Sequence, residues 1–127
     1  MLNFALTDVY RDRPQADAAP LVSKFTMQEA EATLKMMNYD SAPGPNGFGP
    51  SFFRAAWSTC QAKVMAFLTD FHSGVVELER INRAYIVLLP KKDVVVIAND
   101  YRPISLQNCA PKLASKIMTC RLQRQIA

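Results

Sequence analysis

Residues 85–106 read YIVLLPKKDVVVIANDYRPISL, and the architecture of the chain turns on them. Tyr85 to Leu89 is a short unbroken run of apolar and β-forming residues, the composition of a buried strand. Pro90 closes it, because proline has no N–H to give to a ladder. Lys91 and Lys92 follow, then a second apolar run from Val94 to Ile97, then the turn formers Asn99 and Asp100. Extended structure resumes at Tyr101, Arg102 and Pro103. Two strands, 84–89 and 101–106, joined by a connection of about ten residues, make a hairpin. The lysines leave one strand as the arginine enters the other, an arrangement that offers three cations to one anion. The alternative is a pair of solvated lysines, with Arg102 paired to Asp93 or Asp100. The uncharged, β-rich runs are an aggregation hazard wherever they are uncovered.

Upstream, residues 1–25 show little periodicity and hold Pro14 and Pro20. They read as a linker or poorly ordered lead-in to a domain over 26–127. A helix is expected over 26–38. Thr26 and Glu29 have capping-box spacing, and Met27, Ala30, Leu34 and Met37 fall on one face. Pro43-Gly44-Pro45-Asn46-Gly47 stops it: the prolines fix φ and the glycines admit positive φ, so the segment is a turn between helices. It lacks the Lys-Ser/Thr ending and the preceding strand of a phosphate loop. A long helix is expected over 51–73, with Phe53, Trp57, Cys60, Val64, Phe67, Leu68 and Phe71 on its apolar, core-facing side. His72, the single histidine, ends it; the helix dipole accounts for a histidine there, and no second His or nearby Cys points to a metal.

Beyond the hairpin, a third helix over 111–125 opens on Pro111. Leu113, Ile117 and Cys120 turn inward. Lys112 and Lys116 face out one turn apart, and Arg121 and Arg124 extend the charge. This basic character is local. The chain carries a formal +4, yet residues 1–79 are net −3 and residues 80–127 net +7. Such a segment favours polyanions, nucleic acid or a triphosphate, although a solvated basic face is the commoner reason for it.

At 127 residues, half of them apolar, the chain fits one domain with its own core. No run of apolar residues is long enough for a membrane span. MLNFALTDVYRDRP lacks the basic start of a secretory signal. Cys60, Cys109 and Cys120 are an odd count without C-x-x-C spacing, which points to a reduced intracellular chain, in cytoplasm or nucleus, without a zinc site.

Four segments, in order, resemble one family: SAPGPNGFGPSFF at 41–53, LERINRAYIVLLPKK at 78–92, DYRPISLQN at 100–108, and the Lys112…Lys116…Arg121-Leu122 helix. Together they are similar to the fingers of non-LTR (LINE-type) retrotransposon reverse transcriptases of the plant kind, over roughly residues 20 to 127. The family's turn usually reads Pro-Gly-Pro-Asp-Gly, and Asn46 stands here in place of the acid. The family also often has an aromatic where this chain has Pro111.

The resemblance implies an α+β fold: a helical lead-in plus a β-hairpin, a partial fingers region of a right-hand polymerase with the palm absent. It implies that Lys91 or Lys92 lies near the γ-phosphate of an incoming nucleotide and Arg102 over that nucleotide. Lysine offers a point charge, arginine a planar fork. Lys112, Lys116, Arg121 and Arg124 are the candidates for nucleic-acid contact. Nucleotide addition needs two carboxylates holding Mg or Mn. The family's aspartates belong to the palm, and neither Asp93 nor Asp100 corresponds to them. The expectation is therefore a truncated RNA-directed DNA polymerase, inactive alone, with no catalytic residue, metal ligand or cofactor of its own. Its partners in the intact protein would be an RNA or DNA template-primer and dNTP, with the palm to pack against and no membrane. The alternative is a non-enzymatic basic nucleic-acid-binding module, or translated retroelement debris.

Overall fold

The computed structural model describes residues 17–126. Most of the expected lead-in, residues 1–16, lies outside them. The described chain is α+β: a helical body and one two-stranded antiparallel sheet. The helices are α1 (Ala19–Val22), α2 (Met27–Met36), α3 (Pro50–Ala55), α4 (Trp57–His72), α5 (Leu78–Ile81) and α6 (Cys109–Ile126). The strands are β1 (Ala84–Pro90) and β2 (Tyr101–Gln107).

The body is three helices, α2, α4 and α6, closed around Leu34, Leu68 and Ile117, with Ala30, Val64, Cys109, Leu113 and Ala114 completing the core. Each comes from an apolar stripe at helical spacing. Phe53, Trp57, Cys60, Phe67 and Phe71 pack partly buried against it. Met27, expected inside, is exposed, and Thr33 is buried in its place. Thr26 caps α2 as its spacing predicts, accepting the Glu29 N–H at 3.2 Å.

The expected helix over 51–73 is two helices. The chain breaks at Ala56, where ψ is 19°. Neither glycine nor proline stands there. The break coincides with a task for α3 that the sequence did not show: Arg54 donates to the carbonyls of Leu34, Lys35 and Met37 at the end of α2, where the Leu34 carbonyl also accepts the Met37 N–H. Its guanidinium also stacks 3.7 Å over the Tyr39 ring.

Residues 17–25 are tied to this body. Arg121 donates to the carbonyls of Leu21, Ser23 and Lys24, and the His72 ring meets that of Val22 at 2.8 Å. Phe25 lies edge-on to His72 and packs near Phe71. The segment is a strap across the ends of α4 and α6.

The turn before α3 explains its glycines differently from the sequence. Only Gly47 of the pair has positive φ, at 77°. Gly44 is needed because a Cβ there would stand 2.3 Å from the Gln107 carbonyl carbon and 2.4 Å from the Asn108 nitrogen. The turn thus seats on the backbone between β2 and α6. Asn46 clasps it: its N–H donates to Asn108 Oδ1 at 3.0 Å, and its own Oδ1 accepts the Phe48 N–H at 3.0 Å. No helix among the described residues is long and apolar enough to cross a membrane.

Candidate nucleic-acid interface

The hairpin runs from the pair Ala84–Gln107 at its root to Pro90–Tyr101 at its tip. Each strand ends one residue later than the sequence predicts. Alternation puts Tyr85, Val87, Leu89, Arg102, Ile104 and Leu106 on one face, with Ile86, Leu88, Tyr101, Pro103 and Ser105 on the other. Among the described residues the two strands contact each other and little else. Both faces are open, with Ile86 72% and Tyr85 57% exposed. A run that composition marks as a buried strand is therefore uncovered in this chain.

Beyond Pro90 the ladder ends in an ordered loop. The Lys91 N–H donates to the Asp100 carbonyl at 2.7 Å, and Lys91 Nζ donates to the Asn99 carbonyl at 2.8 Å. Asp100 is the organiser. One of its carboxylate oxygens accepts the Val96 and Ile97 N–H groups at 3.0 and 3.2 Å; the other pairs with Lys92 Nζ at 3.0 Å. The Val96 N–H, then Lys92, hold its carboxyl below the usual aspartate value. Val94 to Ile97 is this loop and not a strand; Val94, Val96 and Ile97 point largely to water.

The tip thus keeps Lys91 and Lys92 exposed while fixing the Lys91 backbone. Lys92, not Arg102, takes Asp100. Arg102 sits opposite Leu89, exposed, with no carboxylate partner among the described residues. One cation is neutralised and two stand without a carboxylate partner among the described residues, where the sequence offered three.

On α6, Lys112 and Lys116 are half-buried and Arg124 is exposed. Arg121 does not stand with them: the expected nucleic-acid contact is instead a buried ion-pair residue. It is 6% exposed, and its Nε and Nη2 each donate to the Glu29 carboxylate at 2.6 Å. Its guanidinium lies 4.8 Å over the Phe25 ring. The Arg121 hydrogen bonds hold Glu29 below the usual carboxylate range, and Glu29 in turn raises the arginine. No local pattern announces a pair whose members are 92 residues apart. The sequence also passed over Phe48 and Phe52, exposed aromatics whose ring centres are 4.4 Å apart beside the Asn46 turn. Among the described residues, no three His, Cys, Asp or Glu side chains gather as metal ligands.

No protein-family model matches the chain. It is similar to the Transposon TX1 uncharacterized 149 kDa protein of Xenopus laevis, with 30% identity over 121 residues. That alignment takes in 87% of this chain and 9% of the relative, so the chain corresponds to a small part of that protein's length. The similarity supports a transposon-derived origin.

Proposed function

We propose that this chain is the fingers portion of an RNA-directed DNA polymerase encoded by a transposable element. Its hairpin tip would hold the phosphates of an incoming nucleotide, and α6 would contact the template strand. The observation that carries this reading is the tip itself. Asp100 is spent on organising the loop, which leaves Lys91 and Arg102 presented to solvent within two register positions of each other. The order of the four sequence segments and the transposon-encoded relative agree with it.

Within such an enzyme the tip binds and orients. Lys91 supplies a point charge to phosphate oxygens, and Arg102 supplies a planar fork and a flat face. Mg or Mn would supply charge neutralisation and nucleophile activation from carboxylates outside the tip. Asp100 is committed to Lys92 and two backbone N–H groups, and among the described residues no three His, Cys, Asp or Glu side chains gather as metal ligands.

The test is a fluorescence-anisotropy titration of single-stranded RNA at several salt concentrations. The chain is expected to bind without sequence preference and to weaken steeply with salt. Replacing Lys112 and Lys116 with Ala should lower the log–log slope by about 1.4, at ~0.7 per phosphate for a single strand. Arg102→Lys should leave RNA binding intact yet slow nucleotide incorporation when the chain is joined to a polymerase palm. Absence of binding at low salt would sink the proposal, as would indifference to salt and to all these substitutions.

A further inference from the structure

A groove runs between α2 and α6, away from the hairpin tip. Thr26, Thr33 and Met36 line it from α2, Cys120 and Arg124 line it from α6, and Lys24 closes it from the strap, around a cavity of about 460 Å³. The Glu29–Arg121 pair forms part of its wall and cancels its own charge. Lys24 and Arg124 are exposed and have no carboxylate partner among the described residues, so the groove is net positive.

Thr33, 4% exposed, lines the floor. The Thr26 oxygen already accepts the Glu29 N–H, which leaves its proton to donate outward. That hydroxyl proton, in a groove lined by two cations without a carboxylate partner among the described residues, matches a singly charged group that only accepts hydrogen bonds. Met36 offers an apolar surface beside them.

We infer that this groove seats a phosphodiester of single-stranded nucleic acid. The inference rests on the proposed nucleic-acid function and assigns it a second site. Lys112 and Lys116 lie on α6 between the hairpin root and the groove, and Lys112 is about 18 Å from Arg124 along the helix axis. A strand leaving the hairpin can therefore follow α6 into the groove.

Cys120 lines the groove and reports on it. The experiment uses the full chain and a ten-nucleotide oligo(U). Anisotropy reads binding, and mass spectrometry reads the rate of Cys120 alkylation by iodoacetamide, with Cys60 as the internal control. The oligonucleotide should slow Cys120 several-fold and leave Cys60 unchanged. Lys24→Gln with Arg124→Gln should abolish the protection and lower the salt slope by about 1.4. A Lys91→Gln, Lys92→Gln, Arg102→Gln variant should retain the protection. Binding with no protection of Cys120 overturns the groove and spares the tip. Equal protection by inorganic phosphate overturns it in favour of a simple anion site. No binding at low salt overturns both sites.

Discussion

Replacing Arg121 with methionine tests the least visible feature of the fold. The side chain is 7% exposed and makes two charge-assisted bonds to Glu29, itself 18% exposed, and three bonds to strap carbonyls. Methionine keeps most of the volume and none of the donors. Breaking one side of a buried ion pair costs about 3–5 kcal/mol, because the other charge is stranded. Glu29 keeps some access to water, which favours the lower end, and the three carbonyl bonds overlap with that figure and do not add to it. About 3 kcal/mol is a large share of a stability of ~5–15.

With a urea slope near ~1.5 kcal/mol per molar, the unfolding midpoint should fall by about 2 M. Trp57, the single tryptophan, reports the transition. Hydrogen exchange should accelerate across residues 19–25, which lose their anchor. Glu29→Gln, which retains an acceptor, should cost less, ~1–2 kcal/mol. The pH dependence follows from the sign of the shift. Glu29 is depressed below 4.5, so the pair's contribution is complete above that value and is lost as pH falls through the lower, folded-state value. A midpoint within 0.3 M (about 0.5 kcal/mol) of wild type, with unchanged exchange in the strap, would refute the assignment.

Gly44→Ala should destabilise by about 1–3 kcal/mol, because its Cβ meets backbone at 2.3 Å. In a two-dimensional NMR spectrum it should displace the Asn46 and Asn108 signals, whereas Gly47→Ala should be strained only locally. Burial pushes the Cys109 thiol up to about 11, so in native protein near pH 8 a thiol reagent should label Cys60 and Cys120 well before Cys109. Equal rates for all three would contradict the core as described. The 91–100 loop should hold above pH 3.8 and loosen as pH falls through the depressed Asp100 value, seen as faster exchange at Val96 and Ile97. Asp100→Asn should loosen it at neutral pH, and a loop equally protected in both conditions would count against that role.

What was legible in the sequence was what is local. The hairpin strands, the Thr26 cap and the apolar stripes of α2, α4 and α6 rest on periodicity and turn chemistry within a few residues. What was not legible depends on residues far apart. Arg121 looked like one more cation at the end of a basic helix, and only the approach of α2 makes it a core residue. Arg54 gave no sign that it closes α2, nor Gly44 that it touches Asn108. Around the tip, the sequence supplied the cations without saying which one Asp100 would hold. The reach of Tyr85–Leu89 toward burial was misread, because strand composition describes a surface that packs and says nothing of whether a partner is present.

The hairpin is a cantilever. Its root is clamped where Gly44 presses on the backbone at Gln107 and Asn108 joins the turn, and among the described residues its strands contact chiefly each other. In such a beam, displacement grows with distance from the clamp, so the lysines ride at the point of greatest excursion. A ligand gripped there must still this motion as it binds, and the lost freedom weakens its affinity. Affinity at the tip is then governed by the stiffness of the root as much as by the charges that make the contact. Substitutions around Gly44 and Asn108, which touch no ligand, should tune it as effectively as changes to the lysines themselves.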